Sequence, residues 1–302
     1  MREETVRVES PIKTSKISNK IGIQEKKYPN FLYIGASKAG SSWIYQILQE
    51  HPDIFIPKAK DLQFFDIYYQ KGVDWYLSFF REGQGKTAVG ELSHDYFLYE
   101  EVATRIYENL PNIKLVCCLR EPVDRIISAY LYSQTMYLDK KISLEEYAFQ
   151  PDILKTSDYY NNLLPFYRLF PQEQILVLFY DELKQDPGAF AQKIYSFLGV
   201  DPNFDPPSVV RKVLAARKAR NEFLAHIAYQ TGLVFRKMGL ANLVGQIKHN
   251  PLFNLVFYTK LEQKPDFPAD IKNKFQVYFQ QDYQKLAELI GRDLPPSWFQ
   301  KF

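Results

Sequence analysis

The chain has little cysteine and little histidine, 2 and 4 of its 302 residues. The cysteines, Cys117 and Cys118, are neighbours in the apolar run KLVCCLR. Successive strand residues face opposite sides of a sheet, so no disulfide between them is expected. Both thiols read as small core residues of a protein from a reduced compartment. No apolar stretch approaches the ~18 residues that span a bilayer. The opening MREETVRVESPIKTSKISNKIGIQEKKYPN lacks the apolar stretch of a secretory signal. These absences set the expectation of a cytoplasmic protein with no membrane span, whose residues 1–28 form a polar, disordered tail. A formal net charge of +3 is too small to specify a nucleic-acid partner, though it leaves room for a local basic site for an anion. Internal repeats and low-complexity segments are also missing.

What the chain does have is core material: 46% hydrophobic residues, with 23 Phe and 22 Tyr. FLYIG (Phe31 to Gly35) reads as a buried strand. SSWIYQILQEHP follows with Trp43, Ile44, Ile47 and Leu48 at helical spacing and Ser41 or Ser42 as the N-cap. TAVGE (Thr87 to Glu91) and IKLVCCLR (Ile113 to Arg120) read as strands, each followed by a helix, Leu98 to Asn109 and Pro122 to Tyr132. Pro122 suits a first helical turn, where its missing N–H has no partner to lose. QILVLFYDEL (Gln174 to Leu183) reads as a strand running into a turn, and DPGAFAQKIYSFLGV as a capped helix ending at Gly199. Residues 203–264 read as helical and aromatic, and PADIKNKFQVYFQQDYQKLAELIG as one long helix. Strands alternating with helices predict an α/β, three-layer fold with a central parallel sheet and a helical C-terminal extension. A single domain over 29–302 is the simplest organisation, with 203–264 as an acceptor or lid region.

YIGASKAGSSW sits where a strand passes into a helix. Against the phosphate-loop pattern G-x-x-x-x-G-K-[ST], Gly35, Gly40 and Ser42 fall into place, but position 41 is Ser where the pattern demands Lys. The one lysine, Lys38, lies inside the loop. Small residues let backbone N–H groups approach an anion at a helix N-terminus; they are also what any tight turn uses. A second stretch, LREPVDRIISAY, puts Arg120 at a strand end and Ser128 two helical turns on. The pair can grip a phosphate, or Arg120 can merely pair with Glu121 or Asp124.

Together the two stretches resemble the sulfotransferases that use 3′-phosphoadenosine 5′-phosphosulfate (PAPS). That family's loop reads close to P-K-x-G-T-T-W or R-K-G-G-T, here Ser37-Lys38-Ala39-Gly40-Ser41-Ser42-Trp43. The resemblance implies that these seven residues bind the 5′-phosphosulfate and that Arg120 and Ser128 bind the 3′-phosphate. The donor has no γ-phosphate and the family uses no catalytic metal, so the missing lysine is dispensable. Lys38 would meet the bridging oxygen on which negative charge grows as the sulfuryl group departs. PKAKDLQFFD (Pro57 to Asp66), KGVDWYLSFF and GELSHDYF (Gly90 to Phe97) look like segments of the heparan-type enzymes, and LIGRDLPPSW is similar to endings of related bacterial members.

The resemblance implies transfer to a hydroxyl or amine acceptor, a carbohydrate among the options, giving the sulfated product and 3′-phosphoadenosine 5′-phosphate (PAP). Three residues compete for the base that such chemistry needs. Asp61 matches the position of a catalytic Glu in heparan-type enzymes, and is the first choice. His94 resembles the base of small-molecule sulfotransferases, and Glu91 matches a carboxylate of the heparan-type group. Leu92 stands where many relatives carry Lys. The basic run RKVLAARKAR lies where the family closes a loop over the 3′-phosphate and adenine, which carries over Arg217 and Arg220. Two other readings remain at this stage: a small-molecule kinase, which would need ATP and Mg²⁺, and a nucleotide-sensing protein that binds without transfer.

Overall fold

A computed structural model describes residues 29–136, 142–208, 217–219, 227, 230–232, 234–235, 258–260 and 267–299. Its centre is a five-stranded sheet built from β1 (Phe31–Gly35), β2 (Ile54–Phe55), β3 (Ala88–Leu92), β4 (Lys114–Leu119) and β5 (Ile175–Phe179). The order is β2-β3-β1-β4-β5, and every pairing is parallel. β1 and β3 are buried along their whole length, as expected for a parallel sheet covered by helices on both faces. Cys117 and Cys118 are buried free thiols on successive positions of β4. The expected three-layer α/β architecture is what the chain adopts.

Helix α1 (Ser41–Glu50) follows β1 and buries Trp43, Ile44, Ile47 and Leu48, the stripe that its spacing predicts. Its N-cap is neither serine but Gly40, in a left-handed conformation with no side-chain cap. Ser41 Oγ accepts a hydrogen bond from Lys60 Nζ (2.8 Å) instead, so the hydroxyl serves the site rather than the helix. α2 (Val73–Leu77) and α3 (Glu100–Asn109) flank β3 in sequence, and α4 (Pro122–Met136) follows β4, running beyond Tyr132. α5 (Leu144–Ala148), α6 (Pro151–Lys155) and α7 (Tyr159–Leu169) lead to β5.

Beyond β5 the expected turn is a helix, α8 (Tyr180–Gln185). The Glu182 carboxylate reaches back to accept from the Phe179 N–H (2.9 Å) and starts the helix abruptly. α9 (Pro187–Leu198) is capped as its sequence predicts, with Asp186 accepting from the Ala189 N–H and Gly199 left-handed at the end. Trp43 of α1 meets Phe190 of α9 edge-on, and the Tyr195 hydroxyl donates to the Ile47 carbonyl (3.0 Å).

Residues 203–264, read as helical, are mixed where the structure describes them: 227, 230–232 and 234–235 are helical, but two short strands are present as well. Strand β6 (Arg217–Ala219) pairs antiparallel with β7 (Tyr258–Lys260), and β6 lies against α4. The C-terminal helix is also two helices, α10 (Ala269–Gln280) and α11 (Tyr283–Ile290). Each buries its own apolar set, Ile271, Phe275 and Phe279 in one and Tyr283, Leu286 and Ile290 in the other. The polar Gln281-Asp282 turn separates them. Trp298 ends the described chain's core: its Nε1 donates to Asp181, and its ring touches Tyr159, Phe179 and Tyr283. The tail over residues 1–28 lies outside the described residues.

Candidate active site at the carboxyl rim of the sheet

The loop between β1 and α1 leaves the sheet at its carboxyl rim, where parallel α/β sheets hold ligands. Gly40 has φ 93°, and a Cβ there would lie 3.0 Å from Leu183 Cδ2 and 3.2 Å from Tyr180 Cδ2. Only glycine combines that backbone with that packing. Lys38 also has a positive φ, 66°, a conformation that costs a non-glycine residue about 1–3 kcal/mol and is found at functional sites. Its Nζ lies 4.0 Å from the centroid of the Tyr132 ring. Burial first, then the charges of Lys60, Arg120 and Arg125, push the Lys38 ammonium down to about 7. Ser37 and Ser42 are half-buried, and Ala39 and Ser41 are buried. Trp43 is buried against α9, which makes it a packing residue of the loop's base.

Arg120 leaves β4 beside this loop. One terminal nitrogen donates to the Lys38 carbonyl (3.2 Å) and the other lies 3.4 Å from Asp124 Oδ2. The guanidinium sits over the Tyr180 ring at 4.7 Å, and the Tyr159 hydroxyl donates to the Arg120 carbonyl. Among the described residues its buried Nε has no hydrogen-bond partner, an unmet donor that a native interior rarely tolerates. Of the two partners that the sequence offered, Asp124 is the one it meets. The Glu121 carboxylate accepts from the N–H groups of Val123 and Asp124 and starts α4; burial pushes it up to about 7. Ser128 is half-buried on α4, two turns beyond Arg120. Arg217 lies on β6, alongside that helix, and Arg220 is outside the described residues. Arg125 is fully buried and ties α4 to Ser157 and the Ile153 carbonyl.

On the other side of β1, the end of β3 and the segment after β2 meet. The Tyr45 hydroxyl reaches the Pro57 and Lys58 carbonyls, both at 2.9 Å, and fixes that segment on α1. The Asp61 N–H donates to the Leu92 carbonyl (2.8 Å). The Asp61 carboxylate is hydrogen-bonded to His94 Nδ1, and His94 Nε2 lies 3.5 Å from Asp95 Oδ2. Burial pulls the His94 imidazole down, but Asp61 and Asp95 outweigh it and its pKa is raised. Two candidate bases that the sequence kept as rivals therefore form one pair. Glu91 is different. It is 1% exposed, and accepts from Tyr76 and Tyr96 on one oxygen and from Ser93 on the other, each at 2.9 Å. Burial pushes its carboxyl up to about 7 against those hydrogen bonds. Leu92, where many relatives carry Lys, is core. Among the described residues no group of three His, Cys, Asp or Glu side chains is placed to hold a metal ion.

Tyr132, Tyr180 and Lys184, which also stand at this rim, belong to no motif that marks them. Tyr180 and Lys184 come from α8, read from the sequence as a turn, and Tyr132 closes the expected span of α4; the acidic Asp181 and Glu182 in the first turn of α8 were the available signal.

The residues of this rim can be set beside known proteins. The sulfotransferase domain family model matches residues 29–288. Mouse heparan sulfate glucosamine 3-O-sulfotransferase 5 is 25% identical over 283 residues, covering 89% of this chain and 74% of that protein. The membrane-associated sulfotransferase kil1 of Dictyostelium discoideum is 32% identical over 133 residues, 43% of this chain but 28% of kil1. A solved sulfotransferase from Alicyclobacillus acidocaldarius shares the fold, with a TM-score of 0.64 at 24% identity, covering 91% of this chain and all of that one. Among the described residues no helix is long and apolar enough to cross a membrane. With the family model matched over most of its length, the chain belongs to the sulfotransferase domain family and is a transferase.

Proposed function

We propose that the chain moves a sulfuryl group from PAPS to a hydroxyl or amine of an acceptor, releasing PAP. The observation that carries this reading is the gathering of Lys38, Lys60 and Arg120 around one glycine turn, with the buried Arg120 Nε unmet among the described residues. Such a cluster suits a ligand with several negative charges. Residues 37–42 would cradle the 5′-phosphosulfate on the packed base that Trp43 provides, and Arg120 and Ser128 would take the 3′-phosphate, with Arg217 and Arg220 closing over it. Lys38 would neutralise charge growing on the leaving oxygen. PAPS supplies the activated sulfuryl group. The protein's part is to hold it in line with the acceptor and to remove one proton.

For that proton the Asp61–His94 pair serves as one acceptor. A His oriented by a carboxylate on one nitrogen can take a proton on the other, and Asp61 and Asp95 together favour the imidazolium so formed. Glu91 supports the pair from behind: it anchors Ser93, whose hydroxyl accepts from the Gln63 N–H two residues past Asp61. The names of the relatives favour a carbohydrate acceptor. Transfer of labelled sulfate from PAPS across hydroxyl and amine acceptors tests the reading, with Lys38→Ala as control; undiminished transfer by the variant overturns the role of Lys38. Thermal unfolding separates donors. PAP at about 100 times its Kd should stabilise the fold by about 2.7 kcal/mol, and a response to ATP with Mg²⁺ alone would favour a kinase.

A further inference from the structure

Lys184 belongs to neither of the two sequence motifs that mark the nucleotide site. It lies on α8, and its Nζ is 3.4 Å from Asp124 Oδ2, the same oxygen that Arg120 approaches at 3.4 Å from the opposite element. Both cations also lie over one aromatic ring, Tyr180, at 4.7 Å for Arg120 and 5.2 Å for Lys184. Two positive charges thus converge on a single carboxylate oxygen, each at a distance longer than a good charge-assisted hydrogen bond. Arg120 additionally keeps its buried Nε without a partner among the described residues. One carboxylate balances one cation, so this trio retains a net positive charge at a spot where hydrogen-bonding capacity is unspent.

We infer that Lys184 is a second cation for the 3′-phosphate of the donor, held ready beside Arg120 by their shared contact with Asp124 and the Tyr180 ring. The inference rests on the reading of Arg120 as the 3′-phosphate residue. A phosphate dianion offers three oxygens, enough to take a bond from each cation without displacing Asp124. Tyr180 and Leu183 of the same short helix pack on Gly40. The helix that delivers Lys184 is thereby fixed against the loop that would hold the other end of the nucleotide. Lys184 is half exposed, so replacing it removes a charge without opening the core.

The test compares the affinities of PAP and adenosine 5′-phosphate, which lacks the 3′-phosphate, for wild type, Lys184→Gln and Lys184→Arg, by calorimetry on the full chain. Wild type should prefer PAP. Lys184→Gln should lose about tenfold in PAP affinity, what one charge-assisted hydrogen bond contributes, with adenosine 5′-phosphate unaffected. Lys184→Arg should keep most of the preference. An unchanged preference in Lys184→Gln, or equal weakening of both ligands, overturns the inference and leaves the donor reading standing. No preference for PAP in wild type overturns both.

Discussion

Glu91 gives the sharpest quantitative test of how this rim is built. Its carboxyl is moved by burial from 4.5 to about 7, even though three hydroxyls donate to it. The folded chain therefore binds this proton more tightly than the unfolded chain. Below pH 4.5 the group is protonated in both states and makes no difference. Between pH 4.5 and about 7 the folded state holds the proton while the unfolded state releases it, so stability falls as pH rises and levels off above 7. The total loss is about 3 kcal/mol, at 1.36 kcal/mol for each pH unit crossed. Glu121 is pushed the same way, so the wild-type curve alone mixes two groups. Glu91→Gln isolates one: its amide oxygen can still accept from Tyr76 and Tyr96, and it has no charge to bury. Urea unfolding of both proteins from pH 5 to pH 8 should show Gln gaining on Glu by roughly 2.5 kcal/mol across the range, the rest of the loss falling below pH 5. A flat difference, or one of the opposite sign, would refute the account of Glu91 as a buried acid held by hydroxyls.

Lys38, lowered to about 7 by burial and three neighbouring cations, should regain its proton when an anionic ligand arrives. Its charge is fully present only well below pH 7 and is lost as pH rises through about 7, so PAP affinity should fall as pH rises above 7, and calorimetry at pH 8 in two buffers should register proton uptake; Lys38→Arg should flatten both. Asp61→Asn and His94→Ala should each lower kcat by about 10²–10⁴-fold while PAP binding stays intact; a loss of PAP binding instead would move the pair to the donor side. Gly40→Ala, which forces a Cβ onto Leu183 and Tyr180 at positive φ, should abolish stabilisation by PAP, and a normal response would contradict the packed loop. Trp298→Ala should cost about 3–5 kcal/mol in denaturant and weaken PAP binding, because Trp298 backs Tyr159, which holds the Arg120 carbonyl.

Much of this was legible in the sequence because the parallel strands announce themselves: FLYIG, and KLVCCL after its opening lysine, are unbroken apolar runs. The start of α8 was not, since Phe179-Tyr180 run on from the strand without a break until Glu182 turns back on Phe179. Ser41 looked like a cap because serine before an apolar stripe usually is one; a lysine nineteen residues on took its hydroxyl instead. β6 and β7 carry three residues each, too few for alternation to show. Lys38, Arg120 and Asp61 could be named from motifs, but their relations could not. That Asp61 and His94 touch, and that Glu91 faces inward, depends on long-range packing of Tyr45, Tyr76 and Tyr96 that no local pattern encodes.

β1 stands between the two halves of the site. Of the cations assigned to the nucleotide, Lys38, Arg120 and Lys184 come from the loop after β1, the end of β4 and α8, and only Lys60 reaches over to Ser41 from the β2 side, while Asp61 and His94 come from the β2 side and the end of β3. Energetic coupling should follow that division. Substitutions within one half, such as Arg120 with Lys184, share a carboxylate and should be strongly non-additive in a double-mutant cycle. Substitutions across β1, such as Lys184 with His94, should add. Acceptor preference could then be changed on one flank of the strand without renegotiating the grip on the nucleotide on the other.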